Sequence, residues 1–177
     1  MKFDPDKYRR RSMRLPGYDY SRSGVYFVTI CAKDRECLFG DVVNGKMRLN
    51  MSGRIVSKCW MWLKDQYPYV QLDEWILMPN HLHGIIVIED KCRGGSRTAP
   101  TNAPKKKSLG LLIGAFKTTS TKRINHLRQS PGAIIWQRNY YDHIIANMGE
   151  LNQIRAYIRK NPQAWLTDPE NPTLNPG

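Results

Sequence analysis

The sequence predicts an α+β domain with a mostly antiparallel sheet and helices packed on one face. Apolar, β-branched runs of strand length alternate with three segments in which apolar residues recur at helical spacing. Asn44-Gly45 lies between two short strand-like runs, and this dipeptide is typical of the tight turn of a β-hairpin. The resulting order of strand, hairpin, helix, two strands, helix, strand and helix favours an α+β sandwich.

The first third of the chain supplies a strand, the hairpin and a helix. Residues 24–32 (GVYFVTICA) are β-branched and aromatic, which predicts a central strand buried on both faces. Residues 38–43 and 46–49 form the arms of the hairpin around the Asn-Gly turn. Ser52 then caps a helix whose apolar residues continue to Tyr67-Pro68, where the proline ends it.

The remaining elements are two strands, a helix, a strand and a helix. Strands at residues 70–78 and 82–89 are separated by Pro79-Asn80, which has turn chemistry. A helix follows from Ser108 to about Arg128, and residues 134–145 are rich in β-forming residues. The last helix runs from about residue 149 to Asn161 and is stopped by Pro162.

Charge points to a polyanionic partner. Lys and Arg total 28 against 15 Asp and Glu, so the net charge is +13. Nucleic acid is the first partner this excess suggests, although a basic protein can also be merely soluble or touch anionic lipid. The apolar runs are too short to span a bilayer and the four cysteines form no C-x-x-C pair, so we expect a cytoplasmic protein that binds no membrane.

The basic residues concentrate outside the predicted core. We expect a basic arm at residues 1–20, one domain at residues 21–166 with a mobile basic loop at about 90–107, and a tail at residues 167–177. The side chains proposed to contact phosphates are Arg9, Arg10, Arg11, Arg14, Lys105, Lys106, Lys107, Lys117 and Lys122.

Two histidines open one of the predicted strands. His81 and His83 are two residues apart, so their imidazoles lie on one face while Leu82 points to the other. With four histidines in the chain, a random H-x-H has a chance of about one in ten, and a core histidine is the alternative. Their position directly after a turn, where a core would favour aliphatic residues, indicates half of a metal site.

Tyr157 and Asn161 are four residues apart on the last predicted helix. Their side chains therefore lie one above the other and can bring a nucleophile and an oxygen ligand into one site. The same spacing also fits a core tyrosine beside Ile154 and Ile158, with an asparagine at the helix end. Spacing alone does not choose between these interpretations.

Three stretches together resemble the REP-associated tyrosine transposases. They are MPNHLHG at residues 78–84, WQRNYYDHII at residues 136–145 and ELNQIRAYIRKNP at residues 150–162, in the order found in that family. The resemblance covers residues 24–165 and implies a single-domain HUH endonuclease with a ferredoxin-like sheet. Its implied partner is single-stranded or hairpin DNA near repeated extragenic palindromes, cleaved through a 5′-phosphotyrosine intermediate.

The resemblance also implies roles for individual residues. His81 and His83 match the metal ligands, Asn161 the third ligand and Tyr157 the nucleophile, with Mg²⁺ or Mn²⁺ as the cofactor. Asp142 and His143 match a family motif, in which the histidine either supports the active site or satisfies a core hydrogen bond. Such enzymes occur as monomers or as homodimers, and both states are compatible with the sequence.

Two other functions fit the same residues. A non-catalytic nucleic-acid-binding module with a ferredoxin-like sheet explains the charge, but it leaves the paired histidines without a role. A metal phosphoesterase that uses water as the nucleophile explains the histidines and makes Tyr157 a core residue. A covalent adduct between protein and DNA distinguishes the tyrosine transposase from both alternatives.

Overall fold

The computed structural model describes residues 19–90 and 106–172. Most of the predicted basic arm and basic loop lie outside the described residues, as do residues 173–177 of the predicted tail. Among the described helices, none combines the length and the apolar character that a membrane crossing needs. The elements are β1 (Gly24–Cys31), β2 (Gly40–Val43), β3 (Lys46–Leu49), α1 (Met51–Gln66), β4 (Val70–Leu77), β5 (His81–Ile88), α2 (Leu109–Leu127), β6 (Tyr141–Ile144) and α3 (Met148–Lys160).

Four strands form one antiparallel sheet in the order β4-β5-β1-β6. The chain order β1-α1-β4-β5-α2-β6 within this sheet is the ferredoxin-like βαββαβ arrangement, so the predicted fold class is confirmed. Strands β2 and β3 form a separate hairpin inserted after β1. Its turn has φ of 52° at Asn44 and 68° at Gly45, the two positive values that a type I′ turn requires.

The two faces of the sheet carry different helices. Alternate residues of β1, Tyr26, Val28 and Ile30, belong to the larger core that α1 and α2 cover. Helices α1 and α2 thus lie on one face, as predicted, whereas α3 packs on the opposite face against Phe27 and Ile85. Helix α3 takes that position because β1 and β5 are apolar on both sides and would otherwise expose the second face.

A glycine allows α1 to approach β5 closely. A Cβ atom on Gly84 would lie 2.5 Å from Cζ2 of Trp60, which is fully buried on α1. No side chain fits that space, so the indole packs directly on the backbone of the strand that carries the two histidines. The N-cap of α1 is Asn50, whose Oδ1 accepts a hydrogen bond from Gly53, rather than the predicted Ser52.

The predicted strand at residues 134–145 is shorter than expected, because only Tyr141–Ile144 forms a continuous ladder with β1, and Trp136 makes no more than an isolated bridge to Ala32. Before it, the chain forms a loop that is fixed by hydrogen bonds to α2. Trp136 Nε1 donates to Ser120 Oγ at 2.9 Å, and Lys117 Nζ donates to the carbonyl of Gln137 at 2.8 Å. The second bond satisfies the backbone carbonyl of Gln137, a group that a longer strand would have paired with its neighbour.

The segment that follows α3 packs against the domain as far as the structure describes it. Trp165 is buried, and Asp168 and Asn171 lie within the region predicted as a tail yet are only 6% and 3% exposed. Asn171 Nδ2 donates a hydrogen bond to the Trp165 carbonyl at 2.9 Å. The described residues 167–172 are therefore part of the packed structure.

Candidate active site

His81 and His83 lie side by side at the start of β5, on the face covered by α3. Antiparallel pairing places His81 opposite Cys31 and His83 opposite Thr29. The two ring centroids are 4.5 Å apart and both side chains are buried, whereas Leu82 points into the core on the other face. Strand geometry thus brings two imidazoles together, as the sequence spacing predicts.

Asn80 determines which nitrogen of His81 carries the proton. Its Nδ2 donates to the carbonyls of Arg35 at 3.0 Å and of Glu170 at 2.6 Å, which fixes the orientation of the amide. Its Oδ1 then lies 2.8 Å from His81 Nδ1 and can only accept a hydrogen bond, so the proton of His81 sits on Nδ1. The lone pair of His81 Nε2 is therefore available to a ligand.

His83 is held between a threonine and the predicted nucleophile. Its Nδ1 is 2.8 Å from Thr29 Oγ1, and its Nε2 is 3.3 Å from the phenol oxygen of Tyr157. Burial lowers the pKa of His81 to about 3, against a smaller opposing effect of the Asn161 side chain and with a still smaller lowering by Arg35. Burial, and then His81, lowers the pKa of His83 well below its usual value. Both rings are neutral at neutral pH and can act as ligands.

Helix α3 is tied to the edge strand β4 by two arginines, and these ties position Tyr157. Arg155 Nε donates to Asp73 Oδ1 at 2.8 Å, a bond that holds the pKa of that carboxyl below its usual value. Arg159 Nε donates to Glu74 Oε2 at 2.8 Å. Both acids can face the helix because the pairing of β4 with β5 shifts register between Leu72 and Trp75. The ring of Tyr157 then packs edge-on against Phe27.

His143 and Asp142, which match one family motif, lie on opposite faces of the sheet. His143 is opposite Phe27 and its Nε2 is 2.7 Å from Glu150 Oε1, so it links β6 to the first turn of α3. Asp142 pairs with Val28 and therefore points toward the α1 and α2 side. His143 thus lies beside the first turn of α3, the helix that carries Tyr157. Asp142 lies on the other face of the sheet from His81 and His83.

Asn161 and Asp168 complete the buried polar cluster. Asn161 is the C-cap of α3 and is 3% exposed. Its Oδ1 and the Nε2 of His81 are both buried, and neither makes a hydrogen bond within the described structure. Ligand atoms of His81, His83 and Asp168 all lie within 4.8 Å of one another. Sequence reasoning missed Asp168, because its only local signal is a carboxylate shortly after the apolar Trp165.

This donor set fits a divalent metal ion. Two neutral imidazole nitrogens, a carboxylate and a carboxamide oxygen are a mixed nitrogen and oxygen set of the kind that Mn²⁺ accepts. The buried atoms of His81 and Asn161 without hydrogen bonds are costly unless a ligand satisfies them. The carboxylate of Asp168 would offset part of the charge of the cation.

The predicted phosphate contacts differ in their surroundings. Lys117 is engaged in the fold, since its Nζ donates to the carbonyls of Gln137 and Asn139 and its burial lowers its pKa to about 8. Lys106 forms an ion pair with Asp90, and Lys107 Nζ donates to the Tyr67 hydroxyl at 3.2 Å. Lys122 is exposed on α2. The proposed contacts outside the described residues are Arg9, Arg10, Arg11, Arg14 and Lys105.

Comparison with known proteins gives a relative of the chain by sequence and a similar solved structure. No family model matches the sequence. An uncharacterized protein of Haemophilus influenzae is 41% identical over 176 residues, which cover 94% of this chain and 96% of that protein. A solved structure of a REP-associated tyrosine transposase bound to a REP hairpin is similar over 88% of this chain and 72% of its own, with 18% identity and a TM-score of 0.54. The chain therefore belongs to the same family as the Haemophilus influenzae protein, and its domain has a transposase-like fold.

Proposed function

We propose that this chain is a metal-dependent enzyme that nicks single-stranded or hairpin DNA and transfers the cut strand, with Tyr157 as the nucleophile. His81, His83 and Asn161 are the proposed metal ligands, and Asp168 joins them. One observation carries the proposal: the Tyr157 phenol oxygen is 3.3 Å from His83 Nε2. The same buried cluster contains His81 Nε2 and Asn161 Oδ1, two atoms that make no hydrogen bond to the described residues. A nucleophile and a cation site are thus adjacent.

The chemistry of the phosphodiester bond explains why both the tyrosine nucleophile and the cation are needed. A phenol has an unperturbed pKa of about 10 and is a weak nucleophile near neutral pH, and the phosphate repels anions. A bound Mg²⁺ or Mn²⁺ supplies the positive charge that neutralises a non-bridging phosphate oxygen. Thr29 occupies His83 Nδ1, so Nε2 is the nitrogen that would hold the ion, and the Tyr157 oxygen 3.3 Å from it lies beside that position.

The proposed reaction exchanges one phosphoester for another. The Tyr157 oxygen forms a bond to phosphorus and loses its proton, while the bond from phosphorus to the 3′ oxygen breaks and that oxygen gains a proton. The products are a 5′-phosphotyrosine and a free 3′-hydroxyl. Because an ester bond is conserved, a second 3′-hydroxyl can attack the phosphotyrosine and join the strands without ATP.

The helix that covers the second face of the sheet favours a nicking enzyme over a nucleic-acid-binding module. Ferredoxin-like modules that hold RNA stack bases on aromatic side chains of an open sheet face. Here α3 covers the face opposite α1 and α2, and Phe27 on that face is only 2% exposed. The aromatic residue at the centre of the sheet is therefore inaccessible to a base while α3 is in place.

Incubation with labelled hairpin DNA tests the proposed function. The full chain is mixed with a single-stranded hairpin oligonucleotide and Mn²⁺, and the products are separated on a denaturing gel before and after proteinase treatment. We expect a labelled band of higher mass that proteinase removes. Cut DNA without that band would indicate a water nucleophile, and bound but uncut DNA would indicate a binding module.

Replacing Asn80 tests how the metal site is organised. In Asn80→Ala the proton of His81 is no longer held on Nδ1, so we expect Mn²⁺ affinity to fall by about 10- to 100-fold, as for other groups that orient metal ligands. Asn80→Asp keeps an acceptor for His81 Nδ1 and should recover part of that affinity. The Mn²⁺ affinity of each variant is measured by isothermal titration. The matched control is Asn139→Ala, which changes an exposed asparagine in the loop before β6.

Two-dimensional NMR of the histidine rings gives a second measurement for Asn80. The long-range proton-nitrogen spectrum of the metal-free protein should show His81 protonated on Nδ1 in the parent chain. In Asn80→Ala this pattern should be replaced by a mixture of both tautomers. An unchanged spectrum and unchanged Mn²⁺ affinity would show that Asn80 does not orient the ring.

A further inference from the structure

A groove runs along α2 on the side of the domain away from α3. Its volume is ≈ 1040 Å³, and its walls are the outer surface of α2 and the loop that precedes β6. We call it the α2 groove. Its lining consists of Lys117, Thr118, Thr121, Lys122, Asn125 and His126 on the helix and residues 129 and 131–138 on the loop.

The chemistry of the α2 groove suits a single nucleic-acid strand. The described residues that line the groove include Lys122 and Arg138 and no carboxylate, so this lining favours an anion. Gln129 and Gln137 add amide groups that can bond to base edges. Ile134 is 64% exposed although apolar, and offers a surface for bases and sugars that an unpaired strand exposes.

Hydrogen bonds between α2 and the loop form the groove in advance. Asn125 Nδ2 donates to the Ala133 carbonyl at 2.8 Å, and Trp136 Nε1 donates to Ser120 Oγ at 2.9 Å. Lys117 adds its bonds to the carbonyls of Gln137 and Asn139. The walls are therefore fixed before a ligand arrives, which reduces the entropy lost on binding.

The α2 groove is also connected to the candidate active site. The Ile135 carbonyl accepts a hydrogen bond from Lys33 at 2.9 Å, and the Gln137 amide donates to the Cys31 carbonyl at 3.0 Å. Cys31 in turn pairs directly with His81. The inner wall of the groove thus lies against the end of β1, next to the strand end at which the histidine pair begins.

We infer that the α2 groove binds the single-stranded DNA that flanks the phosphate to be cut, with Lys122 and Arg138 on its backbone and Ile134 against its bases. This inference rests on the proposed function and adds a second contact region to it. Because the groove is on the opposite side of the sheet from Tyr157, it should contribute to affinity without taking part in the chemical step.

A charge-reversal pair tests the inference. The double variant Lys122→Glu, Arg138→Glu is compared with Arg54→Glu, Lys58→Glu, which makes the same charge change at exposed positions of α1 outside the groove. Affinity for a fluorescent single-stranded oligonucleotide is measured by anisotropy over a range of salt concentrations. We expect a loss of at least about tenfold for the groove variant and less than about threefold for the control.

The salt dependence gives a second measure from the same titration. Two lost phosphate contacts on a single strand should make the slope of log affinity against log salt shallower by about 1.4 in the groove variant. Equal losses in the two variants, or no loss in either, would overturn the inference. Thermal melting shows whether each variant is folded, and a misfolded groove variant is replaced by Lys122→Gln, Arg138→Gln.

Photocrosslinking tests the same groove without altering its charge. Benzoylphenylalanine at position 134 should crosslink to a bound oligonucleotide, whereas the same residue at Leu111, which is 60% exposed and outside the groove, should not. Equal crosslinking at both positions, or none at position 134, would contradict the inference. Neither readout requires cleavage, so a failure of the nicking assay and a failure of the groove assay are distinguishable.

Discussion

Tyr157→Phe is expected to abolish the covalent adduct with DNA while single-stranded DNA is still bound. The phenylalanine ring keeps the contact with Phe27 and the position on α3, so the stability of the fold should change little. Only the phenol oxygen next to His83 is lost, and with it the proposed nucleophile. The adduct is sought by mass spectrometry of the peptide that contains residue 157, after reaction with a suicide oligonucleotide.

Neighbouring tyrosines provide the controls for this experiment. Tyr140→Phe and Tyr141→Phe, at the start of β6, should form the adduct as the parent chain does. An adduct found on Tyr140 or Tyr141 would show that the nucleophile lies in β6 or in the loop before it, and not on α3. Cleavage that continues in Tyr157→Phe without any covalent species would identify water as the nucleophile.

His81→Ala and His83→Ala are each expected to remove metal-dependent cleavage and to lower Mn²⁺ affinity beyond detection by isothermal titration. Each substitution deletes one of two adjacent imidazoles from a buried site that offers few other donors. Both side chains are buried, so the resulting cavity should also destabilise the fold by about 1–3 kcal/mol. DNA affinity should stay close to that of the parent chain.

His143→Ala is the matched control for the histidine pair. This histidine is on the same face of the sheet, but its partner is Glu150 at the start of α3. The variant should keep its Mn²⁺ affinity and show reduced cleavage only to the extent that α3 becomes less firmly held. Loss of DNA binding together with the fold in His81→Ala would instead indicate a structural histidine.

Local patterns explain how much the sequence could predict. Because side chains alternate between the two faces of a strand, His81 and His83 lie side by side. Asn44 and Gly45 both tolerate a positive φ, so the dipeptide alone predicts the type of turn. The spacing of Tyr157 and Asn161 places both on the side of α3 that meets the histidines. Each of these predictions depends only on residues close together in the chain.

The features that sequence reasoning missed depend on contacts between distant segments. Asp168 joins the histidines because the chain turns back after α3, which a short polar stretch does not reveal. Lys117 has the pattern of an exposed helix residue, yet the loop before β6 folds over it. Asn50 rather than Ser52 caps α1 because the hairpin fixes the entry of the chain into the helix.

The position of α3 has a genetic consequence. The helix lies on the sheet of its own chain, so the phenol and the imidazoles of one site are encoded by one copy of the gene. A cell that carries one allele lacking Tyr157 and another lacking His81 would contain no molecule with a complete set. Two such alleles should therefore fail to complement each other, whereas chains that exchanged their tyrosine helices would restore some sites in mixed pairs.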